Sequence, residues 1–75
     1  MNKARRKRIA QLIERLEENK DELDDIKTEE EDAIENMRER FENTERFANM
    51  ESAYDSLESA LGSIDEAITY LYEID

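Results

Sequence analysis

The sequence predicts an all-α protein, an antiparallel two-helix hairpin of the coiled-coil type that can dimerise into a four-helix bundle. Two stretches of nearly equal length repeat apolar residues at alternating steps of three and four, which is typical of coiled-coil helices. The 75 residues include one Gly and no Pro, and they are 44% charged and 37% hydrophobic, which suits long helices and argues against sheets. The regular period also argues against disorder.

The chain begins with a basic segment that holds five of the eleven cations, namely Lys3, Arg5, Arg6, Lys7 and Arg8. One interpretation is a tail that binds nucleic acid or anionic lipid. The other is that these cations pair with the acidic chain end, Glu66, Glu73 and Asp75, in an antiparallel hairpin. The net charge of −11 favours the second interpretation.

The first helix is predicted at about residues 3–37. If Ile9 is heptad position a, its seam is formed by positions a and d: Ile9, Leu12, Leu16, Asn19, Leu23, Ile26, Glu30, Ala33 and Met37. Ile13 and Ile34 at position e broaden this stripe. Asn19 and Glu30 are either polar groups that fix the register or residues of a partly open seam.

The outward positions b, c and f of this helix carry nine carboxylates and no cation between residues 14 and 35. We call this set the acidic ridge: Glu14, Glu17, Glu18, Asp21, Asp24, Asp25, Glu31, Asp32 and Glu35. The cations of the same segment, Arg15, Lys20 and Lys27, stand beside the seam instead. This one-sided distribution makes the acidic ridge the candidate partner-binding surface.

The turn is predicted within residues 38–46, where the apolar period is interrupted. Asn43 and Thr44 are favourable N-cap residues, and Glu45 would lie in the first turn of the next helix. The segment has no Gly or Pro, and a three-residue insertion could also be absorbed within one continuous helix. Antiparallel pairing favours the hairpin, because it brings Lys20 to Asp65 and Lys27 to Glu58.

The second helix is predicted at about residues 45–74. Its a and d positions are all apolar: Phe47, Met50, Tyr54, Leu57, Leu61, Ile64, Ile68 and Leu71. Position g adds Ala53, Ala60, Ala67 and Ile74, which widen the apolar face. A two-helix hairpin leaves these four residues uncovered, so they are the predicted self-association surface of a homodimer.

The composition also predicts which chemistry is absent. The chain has no His, Cys or Trp and no glycine-rich phosphate loop, so we expect no enzymatic activity, no cofactor and no metal site. The cluster Asp21, Asp24 and Asp25 is more typical of a solvated acidic face than of a metal site. The net charge argues against direct binding of nucleic acid or membrane and favours a basic protein partner. No apolar run reaches the ~20 residues of a membrane span, so a cytoplasmic location is expected.

Three segments carry a resemblance to a known group of proteins: the opening MNKARRKR, the middle ENMRERFENTERF and the closing SLESALGSIDEAI. With the alternating acidic pairs and Ile or Leu, most of the chain resembles the small acidic helical proteins of Firmicute phages and mobile elements. The middle of those proteins often contains Pro and Gly, which this chain lacks. The resemblance brings no established activity, and it implies a phage or host-takeover setting.

Two hypotheses of function follow from the sequence. In the first, the protein is a phage or mobile-element inhibitor whose acidic ridge mimics nucleic acid and blocks a host DNA- or RNA-binding protein of defence. In the second, it is a structural or self-assembling helical-bundle module whose acidic surface serves solubility alone. The segregation of the carboxylates and the implied setting favour the first.

Overall fold

The protein folds as two α-helices joined by a short turn. The computed structural model describes residues 1–41 and 43–74, apart from the side chain of Phe41. Helix α1 is Lys3–Phe41 and helix α2 is Glu45–Tyr72, and the two pack against each other along their length. The Cα atoms extend over 57 × 14 × 13 Å, whereas one continuous helix of this chain would be about 110 Å long. The predicted helical hairpin is confirmed.

The turn lies within the predicted segment, and α1 continues four residues past its predicted end to Phe41. Thr44 is the N-cap of α2, with extended backbone angles of φ −91° and ψ 153°. Its hydroxyl oxygen accepts a hydrogen bond from the backbone N–H of Phe47 at 3.2 Å, which satisfies one free donor of the first turn. No described residue has a positive φ, so the described part of the turn does not need glycine.

Helix α1 has a cap that the sequence analysis missed. The side-chain oxygen Oδ1 of Asn2 accepts a hydrogen bond from the backbone N–H of Arg5 at 2.8 Å. The signal was available, because Asn is among the best N-cap residues. The first turn of α1 contains no acidic residue, so its cations oppose the helix dipole, whereas Arg38 and Arg40 in the last turn complement it.

The stripe by which α1 packs on α2 differs from the prediction. Ile13 and Ile34 at position e are 7% and 6% exposed, while Leu12 and Ile26 at position d are 41% and 45% exposed. The seam therefore uses positions a and e, which also alternate steps of four and three. The predicted d series of α1 is wrong at Leu12, Asn19 and Ile26, which are exposed on the outer flank of the hairpin, whereas Ala33 is half-buried.

The observed stripe places Lys20 and Lys27 in the seam, where both are half-buried. A lysine tolerates such a position because its aliphatic stem covers apolar surface while the ammonium reaches the edge. Asn19, whose short amide cannot reach out in this way, is exposed. Glu30 is half-buried, so the seam is polar and partly open near its middle.

Helix α2 packs through its predicted stripe: Phe47 and Ile68 are buried, and the other six seam residues are half-buried. The antiparallel register set by Lys20 and Asp65 divides the buried residues into two clusters. Ile13 and Ile68 form the terminal cluster, and Ile34 and Phe47 form the turn cluster. Half-buried residues connect the two.

Candidate partner-binding surfaces

The acidic ridge is fully on the surface, since each of its nine residues is exposed. Its residues occupy three heptad positions that lie away from the a/e seam of α1. Two members have partners: Glu17 Oε1 accepts a hydrogen bond from the Tyr72 hydroxyl at 2.6 Å, and Glu35 Oε2 lies 3.4 Å from Arg38 Nε. Both contacts lie at the edge of the ridge that faces α2.

Helix α2 extends this acidic surface. The Lys20–Asp65 ion pair at 2.6 Å and the Tyr72–Glu17 hydrogen bond place position e of α2 beside the acidic ridge. The exposed carboxylates of that position are Glu51, Glu58 and Asp65. We call the acidic ridge together with these three residues the acidic face. Near the turn its two halves line a common groove, which Glu31 and Glu35 of α1 and Glu51 of α2 share with Asp55 and with the cation Arg38.

The α2 carboxylates were not part of the surface predicted from the sequence. Glu51, Glu58 and Asp65 repeat every seven residues, so their common side was visible in the sequence. The sequence did not show which edge of α1 these three residues would lie beside, because this edge depends on the stripe by which α1 packs. With the a/e stripe, they lie beside Glu17, Asp24 and Glu31.

Two cations contact the acidic face within the described residues, Arg38 at Glu35 and Lys20 at Asp65. The Lys20 ammonium donates a hydrogen bond to Asp65, as the sequence predicted, and the charges of Asp21 and Asp24 lie close to it. These contacts raise the pKa of Lys20 above its usual range, chiefly through the Asp65 hydrogen bond. The acidic face is therefore partly neutralised at Asp65 and at Glu35, and it is free of ion pairs at Asp21 and Asp24 within the described residues.

Lys27 does not form the predicted pair with Glu58. Within the described part of the chain its ammonium has no carboxylate within 4.0 Å, and it lies 5.6 Å from the centroid of the Tyr54 ring. At this distance the ammonium is attracted by the ring quadrupole. The predicted ion pair does not form because Lys27 lies in the seam, where its ammonium is over the Tyr54 ring. Glu58 remains available to an outside partner.

The contacts of Lys20 and Tyr72 should make the stability of the hairpin depend on pH in the alkaline range. The pKa values of both groups are raised in the folded chain, Tyr72 chiefly by its hydrogen bond to Glu17. A group whose pKa is higher in the folded chain than in the unfolded chain stabilises the fold fully at any pH below its unfolded pKa. This stabilisation is lost as the pH rises through the folded pKa, here above about pH 10. We expect Lys20→Met and Tyr72→Phe each to reduce the fall in melting temperature above that pH.

The control for this prediction is Lys7→Met, which removes a lysine that has no carboxylate within 4.0 Å in the described chain. The effect of the test variants will be small, because Tyr72 is exposed and the half-buried Lys20 side chain still reaches solvent, so water screens both contacts. If the alkaline fall in melting temperature is as steep in the test variants as in the control, the two contacts do not contribute to stability.

The predicted self-association residues lie on the side of the hairpin away from the acidic face. Ala53, Ala60 and Ala67 are exposed and form a line along α2. Ile74 is also exposed, but it follows the end of α2 and lines a groove with Ile9 and Leu71 at the terminal end. The three alanines thus form one continuous line, and Ile74 stands apart from it.

The basic N-terminal segment does not pair with Glu66 or Glu73, two of the three acidic residues that were expected to neutralise it. Its five cations are exposed, and none lies within 4.0 Å of Glu66 or Glu73 in the described chain. Glu66 and Glu73 occupy the side of α2 opposite its seam, which α1 does not reach. The third expected partner, Asp75, lies outside the described residues. Arg6 lines the terminal groove with Glu14 and Glu17 instead.

The described residues form neither a metal site nor a membrane span. No three His, Cys, Asp or Glu side chains converge as they do around a metal ion. Neither helix contains a stretch that is long and apolar enough to span a membrane. Comparison of the chain with protein-family models, curated proteins and solved structures finds no match, and the resemblance to phage proteins stays a prediction.

Proposed function

We propose that this protein is a non-enzymatic binding module whose acidic face mimics nucleic acid and occupies the basic, nucleic-acid-binding surface of a host protein. The setting we propose is the cytoplasm of a bacterial host, in which a phage or mobile element produces the protein to inhibit a defence protein. The setting rests on the sequence resemblance, whereas the mimicry rests on charge geometry.

The spacing of charge along the acidic ridge is the observation that carries the proposal. Glu14 to Glu35 covers about 32 Å of helix at about 1.5 Å per residue. One strand of B-DNA carries about nine phosphates over that distance, at about 3.4 Å per phosphate. The ridge has nine exposed carboxylates in the same length. It therefore matches the linear charge density of a single strand.

The distribution of the cations supports the same proposal. The first eight residues hold five of the eleven cations, so the rest of the chain holds all 22 carboxylates and six cations, a net charge of −16. Of these six, Lys20 is bound to Asp65 and Arg38 to Glu35, and Lys27 lies over Tyr54 in the seam. Solubility does not require such segregation, because mixed charges on an exposed face serve it as well and add favourable i,i+4 pairs.

The experiment that tests the proposal is competition. The tagged protein is used to capture proteins from host lysate, and each captured protein is titrated with duplex DNA and with RNA in the presence of the hairpin. We expect mutually exclusive binding and an affinity that falls steeply as salt is raised, since the contacts are charge to charge. A captured protein that binds the hairpin and nucleic acid together, or that binds unchanged at high salt, would contradict the mimicry.

A further inference from the structure

An exposed apolar stripe runs along α1 on the flank that the hairpin seam leaves free. Leu12 and Ile26 are 41% and 45% exposed, and exposed Asn19 lies midway between them, seven residues from each. Seven residues are two helical turns, so the three side chains lie in one row of about 21 Å. Large aliphatic side chains spaced along one flank in this way indicate a surface that packs against another helix.

Next to this stripe lies a line of four exposed charged residues, which we call the charged line: Arg8, Arg15, Glu22 and Glu29. They also repeat every seven residues, with both cations in the first half and both carboxylates in the second. None takes part in an ion pair within the described chain. When a second copy of the charged line runs in the opposite direction, the cations of each copy therefore lie opposite the carboxylates of the other.

We propose that the occupant of this flank is a second copy of the chain, packed with α1 antiparallel to α1 about a two-fold axis at Asn19. The same arrangement sets Leu12 of each copy opposite Ile26 of the other. It also brings Arg15 to Glu22 and Arg8 to Glu29 of the second copy, twice each, as an isologous interface requires. A parallel arrangement would instead set Arg15 against Arg15 and Glu22 against Glu22, which is repulsive.

Helix α2 fits the same two-fold axis. Because the acidic face lies on one side of the hairpin, Ala60 and Ala67 lie on the other, beside the apolar stripe. Lys20 is level with Asp65, so Ala67 comes within one residue of the level of Asn19. The alanines allow the second copy of α2 to approach closely. Tyr70, which is 67% exposed, then comes opposite the small residue Ser63 of the second copy.

The amount of exposed surface agrees with a missing partner. The chain exposes 6071 Å², whereas a folded monomer of its mass, 8.9 kDa, is expected to expose about 4800 Å². The difference, about 1,300 Å², exceeds the roughly 800 Å² that each partner loses in a standard interface. Part of this difference follows from the elongated shape of the hairpin. A face-to-face pair would cover exposed surface of this kind and leave both acidic faces pointing outward.

The first test is sedimentation equilibrium of the full chain and of two charge variants. We expect a dimer at tens of micromolar. Arg15→Glu and Glu22→Arg should each raise the dissociation constant about tenfold or more, because each places like charges together at two symmetric positions. An equimolar mixture of the two variants should dimerise as the original chain does, since it restores both pairs. A folded monomeric parent chain, or variants that dimerise unchanged, would overturn the proposal.

The second test uses the absence of cysteine from the chain. Asn19→Cys on the two-fold axis should form a disulfide-linked dimer under mild oxidation. Arg15→Cys should not form this disulfide, because the two copies of that residue would be about 12 Å apart along the helix axis. In a parallel pair the two copies would lie side by side and would crosslink. Asp25→Cys on the acidic ridge is the matched control for random collision. Crosslinking of all three to the same extent would refute the assigned interface.

These tests fail independently of the proposed function. Arg15 and Glu22 lie outside the acidic face, so charge variants there should change the dissociation constant of the dimer and leave competition with nucleic acid intact for each hairpin. If the dimer is absent but competition is observed, the mimicry stands alone. If the dimer forms and no basic protein competes, the self-assembling module is the function.

Discussion

Ile34→Ala is expected to unfold most of the chain under conditions in which Ile26→Ala leaves it folded. The two residues belong to the same helix and lose the same atoms, but Ile34 is 6% exposed and Ile26 is 45% exposed. Truncating a buried isoleucine costs about 2–5 kcal/mol, and a chain of this length has only about 4–11 kcal/mol of stability in total. The loss at Ile34 therefore removes a large share of the total.

Urea unfolding followed by circular dichroism measures this difference, at a protein concentration low enough for the chain to be monomeric. In the monomer Ile26 is exposed to solvent, so its truncation should change the free energy of unfolding little. The predicted a/d seam, broadened by Ile34, places both residues in the core and gives similar losses. Equal losses for the two variants would therefore contradict the a/e stripe and favour the predicted one.

Reversing Asp21, Asp24 and Asp25 to lysine is expected to lower the affinity for a basic partner by orders of magnitude. The three residues are exposed and lie near the middle of the acidic ridge. Reversal replaces three attractions by three repulsions, and like charges set against each other at an interface cost several kcal/mol. The helices should remain, because none of the three residues belongs to the seam.

The matched control reverses three carboxylates on the opposite side of α2, Glu45, Glu66 and Glu73. Both variants change the net charge of the chain from −11 to −5, so long-range attraction falls equally in the two. Competition with nucleic acid measures the difference, and circular dichroism checks that both variants are still helical. If the control weakens binding as much as the ridge variant does, net charge alone carries the interaction and the acidic face has no special role.

The helices, the hairpin and the cap at Thr44 could be predicted from the sequence because they depend on local signals. A heptad period persists only where a helix packs, and Thr44 supplies an oxygen where the first turn needs an acceptor. The Lys20–Asp65 pair could also be predicted, since it follows from antiparallel pairing of two long helices.

The packing stripe of α1 could not be predicted from the apolar pattern alone. Two stripes share position a and differ in whether Leu12 and Ile26 or Ile13 and Ile34 complete them. Counting apolar residues favours the first, because the second also includes Lys20 and Lys27. The structure uses the second because the aliphatic stems of lysine pack well at an open seam. A pattern that divides residues only into apolar and polar counts lysine as polar and misses this packing. The error extended to the candidate surfaces, since the stripe decides which flanks of the two helices become neighbours.

The division of the core into a terminal cluster and a turn cluster bears on how the molecule opens. Ile13 and Ile68 can separate while Ile34 and Phe47 stay packed, because the residues between the clusters are half-buried and add little cost to an opening there. Amide hydrogens near the chain termini should therefore exchange through such partial openings, and those beside the turn only through global unfolding. The hairpin behaves in this respect as two cooperative units in series, of which the one beside the turn is the last to exchange.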